Sequence, residues 1–382
     1  MTWEAKALSE VVELRRGFDL PHAERQPGDV PILSAGQSVG SHNVSMVEGP
    51  GFAVGRATNL GVPTWSDRDY WPLNTTLYAA DFKGNDPAFL FRLFQALDLR
   101  GFDSGSVQPM LNRNYIAQVP VRIPALAEQR AIAEVLGALD DKIAANERLV
   151  DTLQLLTDAL GRELILRAEP GAGDTVGDLA DIVNGLSYRS AELEEGAADN
   201  LVTLKSVTRE GRYAERGLKG FRGVSKSEQR VTAGDIVVAQ TDLTQAADVV
   251  GRAVRLPKGG LGTGDAVASL DLAVVRPMDA LPSELLLAVL RDEQFRQHCL
   301  AHTSGTTVLH LRRGAIASYP MPRIDVATNG DFVKRTRSFN ARQDAAAVES
   351  RALAGLRDAL LPELMSGRLR VKDAEKTVEG VV

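Results

Sequence analysis

The chain has 382 residues, a single cysteine and a formal net charge of −6, with 44% hydrophobic and 25% charged residues. That length is long for one core and points to two or more domains of ordinary globular composition, while the lone Cys299 excludes an internal disulfide framework and fits a reducing compartment. The acidic balance counts against a simple nucleic-acid binder, which usually carries a basic surplus, unless the basic groups cluster or a partner supplies them.

The N-terminal run MTWEAKALSEVVELRRG places charges where a secretory signal needs an apolar core. The richest apolar stretch, 281–290, is far shorter than the ~20 residues of a membrane span. A cytoplasmic protein with no membrane association is expected.

Residues 1–124 are rich in Gly, Pro, Val and Thr, and short apolar runs at 30–33, 51–54, 76–79 and 119–123 predict strands joined by turns. The segment 86–99 predicts a helix, with Asp86 as N-cap and Pro87 at the first helical position. Residues 125–168 then predict one long helix. Ile132, Leu136, Leu139, Ile143, Val150, Leu153, Leu160 and Leu164 fall on steps of four and three, with Asn146 and Thr157 as polar interruptions. That is a coiled-coil seam, and a helix over 126–166 would run roughly 55–60 Å and need a partner.

The segment 169–175 (EPGAGDT) reads as a linker opening a second globular unit, 169–324. Runs at 235–239 and 270–275 predict strands, and 283–300 predicts one helix. Residues 325–367 predict a second long helix over 330–365. Phe332, Phe339, Ala346, Leu353 and Leu360 mark its every seventh position, Thr336, Gln343 and Ser350 fall between them, and Pro362 and Gly367 close it. A tail, 368–382, follows.

The two halves repeat. Gly105, Leu111, Arg113, Ile116, Ala117 and Pro120 recur 200 positions on as Gly305, Leu311, Arg313, Ile316, Ala317 and Pro320. The same offset carries Leu153, Leu156, Asp158, Leu160 and Leu164 onto Leu353, Leu356, Asp358, Leu360 and Leu364. Leu179 to Gly185 echoes Val11 to Gly17. The expected fold is α+β: two similar globular domains joined by two long helices, which a pseudo-twofold arrangement would pair as an antiparallel coiled coil.

The run from Pro124 to Ile143 (PALAEQRAIAEVLGALDDKI) resembles the first conserved helix of the type I restriction-modification specificity (S) subunits. The run from Leu356 to Gly367 (LRDALLPELMSG) is similar to the end of their second. The order also resembles theirs over nearly the whole chain: target recognition domain (1–124), helix (125–168), target recognition domain (169–324), helix (325–367). This chain departs at Asn329-Gly-Asp331, where the first helix has Ala127-Glu-Gln129, and at Asn340, where the first has Asp140. The resemblance implies a non-catalytic subunit that binds double-stranded DNA. Each recognition domain would read one half of a bipartite target, while the coiled coil sets the spacer and docks two methyltransferase subunits. Restriction subunits may join the complex. No cofactor is expected in this chain, and S-adenosylmethionine is expected in the methyltransferase partner. Half-sites one helical turn apart, ~34–36 Å, suit a rigid spacer of that scale.

Catalytic and metal signatures are absent from the sequence. No Gly-x-x-x-x-Gly-Lys-Ser/Thr loop occurs, nor an Asn/Asp-Pro-Pro-aromatic segment. His298, Cys299 and His302 are too few for a closed metal set. The polar loops offer better candidates for DNA contact. Ser104, Ser106 and Gln108 occupy positions equivalent to Thr303, Ser304, Thr306 and Thr307, and suit phosphate oxygens or base edges. Arg56, Asn59, Trp65 and Arg68 form a second group, since Arg suits guanine, Asn suits adenine, and Trp65 could stack or pack. Gln240 and Thr241 are their counterparts. Lys205, Arg212, Arg222, Arg113, Arg312 and Arg313 complete the set as phosphate candidates, against the plain alternatives of connecting turns and solvated faces. Exposed charges such as Glu128, Arg130, Asp141, Lys142 and Arg148 would form the methyltransferase-docking face. The rival functions are a coiled-coil assembly scaffold with protein-binding heads, and a specificity factor of a related phage-defence system without a nuclease.

Overall fold

A computed structural model of the chain describes residues 3–57, 59–99, 101–102, 110–169, 173–306 and 308–380. By internal contacts the chain forms two compact units, residues 1–142 with 353–382, and residues 143–352. Both boundaries fall inside long helices.

Unit 1 is built on an antiparallel sheet in the order Glu13–Arg16, Thr76–Asp81, Gly51–Gly55, Pro63–Ser66. Gly51–Gly55 is buried along its whole length, as a central strand covered on both faces requires. The helix Pro87–Ala96 covers one face, and Phe94 meets Phe52 at 5.2 Å between ring centroids. Asp86 caps this helix by accepting the Phe89 N–H at 2.9 Å. The helix stops at Ala96, short of the expected 99, although Leu99 is still buried. Strands Glu4–Ala7 and Pro120–Ile123 pair antiparallel and bring the two ends of the domain together.

Unit 2 has the corresponding sheet, in the order Ala180–Asn184, Leu272–Pro277, Ile236–Ala239, Ala253–Arg255. A second four-stranded sheet, Leu218–Phe221, Asp199–Val202, Ala266–Ala268, Arg230–Val231, uses the longer middle of this copy. The expected single helix over 283–300 is two helices, Ser283–Arg291 and Glu293–Ala301. Asp292 is extended (φ −66°, ψ 144°), and its carboxylate accepts the Gln294 N–H at 2.9 Å. A short Asx side chain that caps a new helix ends the previous one, which the periodicity conceals.

The sequence repeat is repeated in the hydrogen bonds. Phe18 N–H donates to Pro72 O at 2.8 Å, and Leu186 N–H to Ala268 O at 2.7 Å. Leu8 N–H reaches Val119 O and Val176 N–H reaches Tyr319 O, each at 2.9 Å. Gly17 and Gly185 serve the same need, because a Cβ on Gly17 would lie 2.2 Å from Leu73 O and one on Gly185 would lie 2.1 Å from Ser269 O. The copies diverged between these anchors.

The long helices run Leu126–Arg167 and Gly330–Met365. In unit 2 they pair antiparallel: Asn146 Nδ2 donates to Glu349 Oε2 at 2.7 Å, Gln343 Nε2 donates to Val150 O at 3.1 Å, and Leu164 packs with Val333. In unit 1 Arg357 Nη1 donates to Asp140 Oδ1 at 2.7 Å. Ile132, Leu136, Leu139, Leu153, Leu353 and Leu360 are buried, as is Leu364. Ile143, Val150, Leu160, Phe332 and Phe339 are half-buried. Val333 and Thr336 take the deep positions near the start of the second helix instead of the phenylalanines. Pro362 lies inside that helix and does not end it. The stop is Gly367, whose φ of +71° is the left-handed conformation that favours glycine. The expected tail holds a further helix, Val371–Glu379, with Ala374 and Val378 buried.

Candidate nucleic-acid interface

The sheet of unit 1 gathers arginines from three separate places in the sequence. Along Glu13–Arg16 successive side chains point to opposite faces. Arg15 turns to Glu13, its Nε donating at 2.7 Å, so Arg16 projects to the other side, opposite Leu77 on the neighbouring strand. Arg56 follows the central strand, and its backbone is fixed at both ends: its N–H donates to Thr75 O, and its carbonyl accepts from Leu111 N–H, both at 2.8 Å. Arg113 opens the short helix Arg113–Ile116, whose cap Asn112 accepts the Asn114 N–H at 2.9 Å. Arg16, Arg56 and Arg113 line one cleft of about 390 Å3 with Leu77, Met110, Leu111 and Asn112. None of the three arginines has a carboxylate partner among the described residues. Arg56 and Arg113 were candidates from sequence. Arg16 was missed, because only strand alternation and the strand order bring it to them.

The other candidates of unit 1 divide by environment. Trp65 packs against Phe91 (5.5 Å between centroids) and is half-buried. Asn59 is exposed in the left-handed conformation (φ +45°), with its amide donating to Ala35 O at 3.0 Å. Arg68 is exposed in a turn. Ser104, Ser106 and Gln108, like Thr307 in the second copy, lie outside the described residues.

In unit 2 the matching surface carries different chemistry. Gln240 stands where Arg56 does: its N–H donates to Asp271 O and its carbonyl accepts from Leu311 N–H, both at 2.7 Å. Asn184, opposite Ala273, holds the place of Arg16. Arg312 and Arg313 are exposed. Thr241 is buried and donates to Asp271 Oδ1 at 2.9 Å, so its hydroxyl is spent inside the domain. Thr303 is also engaged, donating to Leu300 O at 2.8 Å, whereas Ser304 and Thr306 are exposed.

A second cleft of unit 2, about 600 Å3, is lined by Lys205, Arg209, Arg216 and Leu243 among others. Asp242 organises its loop by accepting from Thr244 N–H at 2.9 Å and from Val249 N–H at 2.7 Å. Burial pushes the Asp242 carboxyl up, but these amide bonds outweigh it and hold its pKa below the usual carboxylate range. Arg212 and Arg222 are not free cations, since they form ion pairs with Asp151 and Glu194.

The helix motif has a structural role that the sequence did not disclose. Gln129 is 2% exposed and ties the first long helix to the first domain. Its Oε1 accepts the Asp86 N–H, and its Nε2 donates to Asn85 Oδ1 and Pro124 O, all at 2.9 Å. His298 and His302 stack on each other at 4.3 Å, and no cluster of three or more potential metal ligands occurs among the described residues. No helix among them is long and apolar enough to cross a membrane.

Residues 1–155 match the methylase S family, described as the type I restriction modification DNA specificity domain. That stretch is similar to a type I DNA specificity domain. The chain's fold agrees along its length: the type I restriction-modification S subunit from M. genitalium is similar at a TM-score of 0.59 and 15% identity, covering 95% of this chain and 96% of that one. The HsdS subunit from Thermoanaerobacter tengcongensis aligns at 16% identity over 96% of this chain and 97% of that one, with a TM-score of 0.34. No curated protein matches. Residues 1–155 are thus similar to a type I DNA specificity domain, and the fold of the whole chain is similar to that of a type I S subunit.

Proposed function

We propose that this specificity protein reads a bipartite duplex target, one half with each recognition domain, and that its long helices set the spacer and dock two methyltransferase subunits. The observation that carries this reading is the matched pair of domains, equivalent bond for bond, on helices that pair antiparallel. Duplex DNA offers two separated half-sites to such a duplicated reader. The protein itself contributes binding and orientation. Adenine methylation belongs to the partner, which holds S-adenosylmethionine, and restriction subunits join the same assembly.

The acidic total charge is compatible with this role because the cations that matter are local: Arg16, Arg56 and Arg113 in one domain, Lys205 and Arg216 in the other, where Arg209 is paired with Asp248. A pure assembly scaffold would have no use for three arginines in one cleft with no carboxylate partner among the described residues.

The test is methylome sequencing of a host carrying this subunit and its methyltransferase partner. A two-part motif with a fixed gap is expected. Exchange of residues 1–124 for those of another family member should then alter one half of that motif and leave the other intact. A single continuous motif, or a change in both halves, would reject the proposal.

A further inference from the structure

The two recognition domains are equivalent in backbone and unequal in charge at one place. Where unit 1 has Arg16, Arg56, Asn112 and Arg113 around a cleft, unit 2 has Asn184, Gln240, Arg312 and Arg313. The equivalence is fixed by structure, since the same carbonyl-to-amide bond joins Arg56 to Leu111 and Gln240 to Leu311. Thr75, whose carbonyl holds Arg56, is replaced by Asp271, whose carbonyl holds Gln240, so the second copy loses two guanidiniums and gains one, Arg312, together with a carboxylate.

We propose that the Arg16–Arg56–Arg113 cleft is a DNA-phosphate anchor of the first recognition domain that the second carries only in weakened form. This rests on the DNA-reading role proposed above. Three like charges converging with no carboxylate partner among the described residues repel one another, and an anion relieves that cost. The phosphodiester backbone is the anion that a DNA-reading surface meets everywhere, and phosphate contacts fix register without reading sequence. Arg56 is the best-placed member, because two backbone bonds hold its main chain still while its side chain stays half-exposed. At the matching place the amides of Asn184 and Gln240 carry no charge for phosphate and have the donor–acceptor pair that suits a base edge. The first half-site is therefore gripped more strongly by charge at this position than the second, which keeps only Arg312 and Arg313 beside Asp271.

The experiment measures binding of the assembled complex with its methyltransferase to target and non-target duplexes as salt is raised. Each of R16A, R56A and R113A should reduce the slope of log K against log salt by about 1, so that the loss of affinity between 50 and 200 mM salt becomes about 3- to 4-fold smaller. Target and non-target binding should weaken in equal proportion, and the methylated motif should not change. R56K should keep the slope, since phosphate accepts a point charge whereas bidentate guanine recognition does not. Q240R should steepen the slope by about 1, which tests the second domain without removing anything from the first. Unchanged slopes in all these variants would overturn the proposal, as would a relaxed base at one position of the first half-site, which would make the cleft a base reader. If the unaltered complex selects no sequence at all, the failure belongs to the DNA-reading role and not to this cleft.

Discussion

Gln129 shows how one side chain can join a helix to a domain. It is buried with both amide atoms used, so truncation strands the buried Pro124 carbonyl and takes a partner from the half-buried Asn85 and Asp86. Gln129→Ala should destabilise unit 1 by about 2–3 kcal/mol, the cost of buried polar groups left unpaired. Urea unfolding followed by tryptophan fluorescence reports this unit alone, because Trp3, Trp65 and Trp71 all belong to it. An unshifted midpoint would show that the helix docks without this side chain. Asp242 gives a pH-dependent counterpart in unit 2. Its pKa is depressed in the fold, so its contribution is complete above the unfolded carboxylate value of ~3.9 and is lost as pH falls through the lower folded value. Exchange protection of the Thr244 and Val249 amides should therefore hold at about pH 5 and fall in more acid solution, well before the sheet opens. Asp242→Asn should remove that acid dependence. Loss of protection already at neutral pH in the native protein would contradict the geometry.

At the scale of elements, the paired helices mix apolar positions with polar ones that differ in purpose. Gln343 is 8% exposed and reaches Val150 O, a carbonyl on the partner helix that lies within reach of that helix's own N–H ladder. Gln343→Leu strands nothing and adds apolar burial, and should stabilise unit 2 by about 1 kcal/mol. Asn146 binds a charged group, Glu349, across the seam. Asn146→Leu leaves that carboxylate without this donor and removes a contact that specifies register, so no gain is expected. Thermal melts of the two variants check the contrast, and equal shifts would mean that neither contact sets the pairing. The ladder of fours and threes from Ile132 to Leu164 was readable in sequence because a seam imposes its period on every turn. The breaks were not. Asp292 splits a helix whose apolar spacing continues across it, and Val371–Glu379 offers only Ala374 and Val378 as buried positions, too few to distinguish a helix from a tail.

For the whole molecule, the spacer prediction follows from the proposed function. Adding or deleting one heptad in both long helices, at positions that keep the seam in phase, should change the gap of the methylated motif and leave its two specific parts unaltered. Methylome sequencing reads this directly, and a constant gap would show that the helices do not set the spacing.

The sequence by itself determined the α+β class, the duplication, the extent of both long helices and the resemblance to the type I specificity subunits. Each of these is written in local periodicity or in residues repeated at a constant offset, and neither requires knowledge of distant contacts. The tertiary structure alone decided which of the candidate polar residues are left available at the surface. Thr241 and Trp65 were turned inward, Arg212 and Arg222 were paired with carboxylates, and Arg16 was brought from residue 16 to stand with Arg56 and Arg113. A side chain's freedom depends on what the sheet order and strand faces place beside it, and those neighbours are tens of residues away along the chain.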